Sequence, residues 1–379
     1  MTIVFVSVVL NIHQAGVADE LYRLCDGNFW FVETGNPEGD NVKGGKSEDF
    51  EKRPYLIRIS DNKQTEEHAL QLIRTADVMV YGAAPLNYFI ERVRTGKLTF
   101  LYSERWLKQG WKNFFSPNLI KQMFVYHTMC HNKPIYLLGA SAYAAKDFNL
   151  MGAFGGKAYK WGYFTQCADL NIDCLLKAKS SACIINILWC GRFIDWKHPE
   201  VMISLAERLK NVGIDFQINM IGTGCMFESI RTMVNNKHLE AYIHLLGAMP
   251  NEKVVQVMQV HHIVCLTSDR NEGWGAVLNE SMGNGCCPVS SFEAGSTPYL
   301  VKDGVNGFSF SLRKENDLFE KVMWLIQHKE ECMKMSKEAY RTIHDVWSPK
   351  NAADNFFRLS EVLLSGNKIT ITNGPCSKA

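Results

Sequence analysis

Residues 263–283 read IVCLTSDRNEGWGAVLNESMG. The opening IVCLT is a short apolar run of the kind that forms a strand buried on both faces. Gly273 and Gly275 mark a turn, and Val277–Gly283 carries helix-like spacing. Strand, glycine turn and helix in this order begin a parallel βαβ unit. The segment also holds two carboxylates eight residues apart. Glu272 falls in the loop at the strand's carboxyl end, and Glu280 about two turns into the helix. In open α/β sheets that edge is where ligands bind. A helix N-terminus there offers free N–H groups and the positive end of a dipole to a diphosphate. The carboxylates are then left to accept hydrogen bonds from hydroxyls. Taken alone, an E-x7-E pair is more simply two solvated glutamates beside a turn.

The same alternation extends in both directions. Candidate strands are Ile3–Leu10, Phe29–Glu33, Tyr55–Ile59, Asp77–Tyr81, Leu98–Tyr102 and Ile135–Gly139 in the first half. The second half offers Cys183–Cys190, Asp215–Ile221, Ile243–Leu246, Ile263–Thr267, Cys287–Ser290 and Gly307–Phe310. Helical patterns lie between them, as at Glu66–Thr75, Pro199–Val212, Met226–Asn235 and Glu252–Val260. Strands alternating with helices imply parallel sheets covered on both faces, and 379 residues exceed one ordinary core. The expected class is α/β: two Rossmann-like, doubly wound domains facing a central cleft. Residues 1–165 and 166–346 are the expected domains, joined within Gly162–Leu176. Residues 347–365 read as a C-terminal helix packing back on the N-terminal domain. Residues 366–379 read as a polar tail without fixed structure.

Composition bounds the function. Hydrophobic content of 46% and charged content of 21% describe a globular chain. A net charge of +2 without a basic block argues against nucleic acid as a partner. Twelve cysteines, with one adjacent pair (Cys286-Cys287) and no CxxC, read as thiols of a reducing cytoplasm. The N-terminus, MTIVFVSVVLNIHQ, reads as a first strand, having no basic n-region or cleavage site.

Two further loops follow apolar strands. Gly191–Lys197 (GRFIDWK) places Arg192 and Lys197 where two cations can clamp two phosphates, or where they are a plain surface pair. Ile221-Gly222-Thr223-Gly224 ends a strand in GxG. Such glycines make a tight turn or let backbone approach a nucleotide.

Together these motifs resemble glycosyltransferase family 4, the large retaining group with the GT-B fold. The likeness covers about residues 184–326. It runs in order through the GR(x4)K loop, the strand ending IGTG, Leu246-Gly247-Ala248-Met249-Pro250, E-x7-E, Gly285-Cys286-Cys287-Pro288-Val289 and Val301–Phe308 (VKDGVNGF). The resemblance implies that Arg192 and Lys197 hold the donor diphosphate and that Glu272 contacts the donor sugar. It implies that Glu280 binds the ribose, with Gly247, Ala248 and Met249 by the base. Gly222 and Gly224 fall at the nucleotide, and the amides of Gly273, Trp274 and Gly275 lie by sugar and phosphates. No DxD motif is evident, so neither metal nor other cofactor is expected. Tyr299 stands where many members have glutamate. The implied reaction moves a hexosyl unit from a nucleotide sugar, UDP before GDP, to a glycan or glycolipid hydroxyl in cell-surface polysaccharide synthesis. Rival readings are a GT-B epimerase or phosphorylase and a non-catalytic sugar-nucleotide-binding relative. An NAD-dependent oxidoreductase fits poorly, because the first strand ends in Asn-Ile-His-Gln and not in GxGxxG.

In the first half the resemblance fades. His13 and Gln14 follow the first strand, Glu104 the Leu98–Tyr102 strand, and Ser141 and Tyr143 the strand at Ile135–Gly139. All five are candidates for the acceptor side. Glu104 is read equally as the partner of Arg105, and His13 as a structural histidine. Residues 105–123 (RWLKQGWKNFFSPNLIKQM) interleave aromatics with lysines. That mixture suits peripheral contact with the inner face of a membrane, or a helix burying its aromatics in its own domain.

Overall fold

The computed structural model describes residues 1–35, 52–166, 168–367 and 370–379, and the backbone alone of Trp111. The chain divides into two compact units, residues 1–166 with 346–379, and residues 167–345. Both are Rossmann-like.

The first unit holds a parallel sheet of β1 (Ile3–Ser7), β2 (Phe29–Glu33), β3 (Leu56–Arg58), β4 (Val78–Tyr81), β5 (Leu98–Ser103), β6 (Ile135–Gly139) and β7 (Ala158–Lys160). Their order is β3-β2-β1-β4-β5-β6-β7. Every residue of β1 and β4 is buried, as central strands covered on both faces require. Strand order reverses between β1 and β4, so the loops after them diverge and open a crevice at the carboxyl edge. The helix Pro349–Ser365 belongs to this unit and packs along Ile12–Leu24. Phe356 reaches Phe100 and Trp161, at ring centroid distances of 4.9 and 5.7 Å.

The tail differs from expectation. Residues 374–379 pack on the sheet edge: Lys160 N donates to Ser377 O (2.8 Å) and Cys376 N to Lys160 O (2.8 Å), while Lys378 bridges Tyr159 antiparallel. Cys376 and Ser377 are buried. The exposed edge of β7 supplies the ladder that a polar tail cannot make alone. β7 itself is only three residues long and carries no periodic signal.

The second unit holds β8 (Ile185–Cys190), β9 (Phe216–Ile221), β10 (Ile243–Gly247), β11 (Ile263–Leu266), β12 (Cys287–Ser291) and β13 (Phe308–Phe310). They form a parallel sheet in the order β10-β9-β8-β11-β12-β13. The reversal lies between β8 and β11. The motif loops at 191–197 and 267–276 therefore leave adjacent strands on either side of the switch point.

Candidate functional site

At the switch point of the second unit, the Lys197 ammonium pairs with Glu272 Oε2, both side chains 14% exposed. The residues are 75 apart in sequence and meet because β8 and β11 are neighbours. Ser268 Oγ donates to the same carboxylate oxygen at 3.0 Å. Thr267 fixes the lysine's backbone, its hydroxyl donating to Lys197 O (2.6 Å) and accepting from Trp189 Nε1 (2.8 Å). Asp269 N donates to Trp196 O at 2.9 Å. His198 takes a left-handed conformation, φ 47°. Its ring lies 2.9 Å from Glu200 and 3.5 Å from Asp269, and the Glu200 hydrogen bond raises its pKa. These supports were not legible as motifs: a strand-terminal Thr-Ser pair and one histidine carry no pattern.

Glu280 lies in the first turn of the helix Val277–Gly283, not two turns in. The residue is half-buried, and burial of its carboxyl pushes the pKa up to about 6. Cys190, closing β8, feels both neighbours: burial pushes its thiol up to about 12, with Glu280 raising it and Lys197 lowering it. Lys197 and Glu280 thus both act on the end of β8, and Glu272 is paired with Lys197. Arg192 is exposed, its guanidinium 5.6 Å from the Trp196 ring. Gly273, Trp274 and Gly275 are buried, and Trp274 Nε1 donates to Asn279 Oδ1 at 2.8 Å. Tyr299 lies 6.2 Å from the Trp274 ring, its hydroxyl raised in pKa by burial.

The GxG glycines have a definite structural duty. A Cβ on Gly222 (φ 129°) would meet Gly191 O at 1.9 Å, and one on Gly224 (φ 156°) Phe193 O at 2.4 Å. The space a side chain would take is filled by the chain's own backbone. Gly191 N donates to Ile221 O, Phe193 N to Thr223 O and Gly222 N to Gly247 O, at 3.0, 2.9 and 2.8 Å. These bonds tie the loops after β8, β9 and β10 together. Gly247 (φ 70°) faces open space, Ala248 is exposed, and Met249 packs beside Leu188, Ile221 and Val254.

In the first unit a cavity of about 800 Å³ opens beyond β1, β4 and β5. Gln14 and Glu104 line it. Both His13 and Gln14 belong to the first turn of the helix Ile12–Leu24, not to the preceding loop, because Asn11 caps that helix. His13 is buried, stacks on Tyr163 at 5.1 Å, and is held down to about pH 4 by burial. Glu104 pairs with Lys108 and accepts from Tyr163 Oη; Arg105 pairs instead with Asp147 at 3.3 Å and lies 4.7 Å over Tyr143. Ser141 is fully buried, and neither it nor Tyr143 lines the cavity. Glu33, with no motif to mark it, holds the loop after β1: buried, it accepts from Leu10 N (2.7 Å) and Arg58 Nε (3.0 Å).

Residues 105–123 divide. Trp106 and Leu107 are buried, while Phe114, Phe115, Ile120 and, just beyond, Phe124 are exposed, Phe115 by 71% and Phe124 by 69%. Lys112 and Lys121 are exposed among them. Among the described residues no helix is long and apolar enough to cross a membrane, and no group of three or more His, Cys, Asp or Glu side chains is placed to hold a metal ion.

The geometry of the second unit has known counterparts. Residues 185–342 match the family Glycosyl transferases group 1. An uncharacterized glycosyltransferase of Methanocaldococcus jannaschii is 32% identical over 144 residues, 38% of each chain. The amylovoran biosynthesis glycosyltransferase AmsK of Erwinia amylovora is 29% identical over 129 residues, 33% of this chain and 31% of that one. The chain thus matches only about a third of the length of these relatives. Two solved structures share the whole architecture: HepE of Anabaena in complex with UDP (TM-score 0.69, 14% identity, 96% and 100% covered) and the lipopolysaccharide outer core galactosyltransferase WaaB (TM-score 0.69, 16% identity, 95% and 100% covered). The fold is GT-B.

Proposed function

We propose that the chain is a metal-independent, retaining glycosyltransferase that moves a hexosyl unit from a nucleotide diphosphate sugar, preferentially a UDP-sugar, to a hydroxyl of a glycan or glycolipid. The supporting observation is the convergence of Lys197, Glu272 and Glu280 at the switch point of the second unit. In this reading Arg192 and Lys197 meet the diphosphate, whose charge grows as the sugar leaves, and fixed cations stabilise that charge without reorganisation. Lys197 is already paired with Glu272, so donor binding redistributes that pair: phosphate takes the ammonium and sugar hydroxyls donate to the carboxylate. Glu280 accepts from the ribose hydroxyls. Retention follows if the acceptor attacks from the face the phosphate leaves, with that phosphate taking the acceptor's proton; no protein nucleophile is required. The acceptor belongs to the first unit, with Gln14 and Glu104 at its cavity. The Phe115–Phe124 surface with Lys112 and Lys121 rests on an anionic membrane face, consistent with synthesis of a cell-surface polysaccharide at the cytoplasmic side. Lys197→Ala and Glu280→Ala abolish donor-dependent transfer while the chain stays folded. Full turnover by either purified variant refutes the assignment.

A further inference from the structure

The cavity of the first unit is unusual in its charge. Among the described residues its wall contains one carboxylate, Glu104, and no lysine, arginine or histidine. The nearest cations in sequence are already paired: Lys108 with Glu104 itself, and Arg105 with Asp147 and the Tyr143 ring. The remaining polar wall is made of neutral amides and hydroxyls, from Asn11, Gln14, Tyr102, Ser103 and Gln122 among others. Gln14 Oε1 is buried without a hydrogen-bond partner among the described residues. A buried carbonyl oxygen left unpaired has lost its water without replacement, and a donor relieves it. Aromatic side chains, Trp106 and Tyr163 among them, complete the wall.

We infer that this cavity receives an uncharged sugar ring of the acceptor and turns away uronates and sugar phosphates, an inference that rests on the glycosyl-transfer reading above. Hydroxyl groups donate to Gln14 Oε1 and to the Glu104 carboxylate, and aromatic rings cover the apolar face of the sugar. An anionic group satisfies neither acceptor. It also gives up its hydration with no cation among the described wall residues to replace it, and it faces the Glu104 carboxylate. Glu104 is thus a specificity residue whose charge, held in place by Lys108 and Tyr163, sets the class of acceptor.

The test is a binding titration of the full chain, without nucleotide, against methyl glucoside, methyl glucuronide and glucose 1-phosphate. The neutral glycoside binds at least about tenfold more tightly than either anion, equivalent to about 1.4 kcal/mol. Glu104→Gln releases Lys108 and removes the repelling carboxylate, so the anions gain and the gap closes. Ala83→Trp, at an exposed position on the rim, blocks the glycoside but leaves UDP binding unchanged. Equal or tighter binding of an anion to the unmodified chain overturns the inference, as does glycoside binding that ignores Ala83→Trp. A chain that binds the glycoside selectively but no nucleotide diphosphate instead refutes the transfer reading and leaves the cavity's selectivity standing.

Discussion

Glu280→Gln separates two effects that oppose each other in one side chain. Burial holds the Glu280 carboxyl up to about 6 from its usual 4.5. Between those values the native chain keeps a proton that the unfolded chain has lost. Stability therefore falls as pH rises through that window and stays lowered above it. The difference corresponds to about 2 kcal/mol, an upper limit because the residue is partly exposed. Glutamine keeps the shape and drops the charge. At pH 8 the variant melts higher, by up to about 4–8 °C for a unit of this size, and the gain shrinks toward zero as pH approaches 4.5. Nucleotide binding moves the other way. Ribose hydroxyls donate more strongly to a carboxylate than to an amide, by about 1 kcal/mol or more, so affinity for UDP drops roughly tenfold. In the unmodified chain affinity rises with pH through about 6; in the variant that dependence vanishes. Thermal melts from pH 5 to 8 with and without UDP read both effects. A variant less stable than the parent at pH 8, or a gain that ignores pH, refutes the reasoning.

Gly224→Ala places a methyl 2.4 Å from Phe193 O. It destabilises the second unit by about 3 kcal/mol or more through forced backbone displacement, measured by urea denaturation followed by tryptophan fluorescence; a loss under 1 kcal/mol contradicts the packing described. Replacing Phe115 and Phe124 together by serine leaves the melting temperature within about 2 °C, because both are surface residues. It removes co-sedimentation with vesicles containing anionic lipid, and retention on those vesicles rejects the membrane reading.

The two parallel sheets were legible because central parallel strands are continuous apolar runs. IVFVS at β1 and IVCL at β11 announce themselves in one dimension. The placement of Arg192 and Glu272 in loops after strands followed from the same runs, and Lys197 closes a short 3-10 turn, Asp195–Lys197, after β8. Side-chain pairing was not legible. Lys197 finds Glu272 only through the adjacency of β8 and β11, a property of strand order that no local pattern encodes. The duty of Gly222 was hidden for the same reason, since what it must avoid is a carbonyl 31 positions earlier in the chain, that of Gly191. Glu104 and Arg105 looked like partners because they are neighbours. Both lie just past the end of β5, and one meets Lys108 while the other meets Asp147. The tail was misread because its partner, the short edge strand β7, was itself invisible.

The central claim is that the loops after β8 and β11 bind a nucleotide diphosphate. Isothermal titration of UDP and GDP into the purified chain and into Arg192→Ala tests it most directly. Arg192 is exposed, so its removal leaves the fold intact and reads on the ligand alone. The account predicts saturable, one-to-one binding of at least one nucleotide, weakened about tenfold or more in Arg192→Ala by loss of a charge-assisted phosphate contact. Binding of neither nucleotide, or equal affinity in parent and variant, contradicts it.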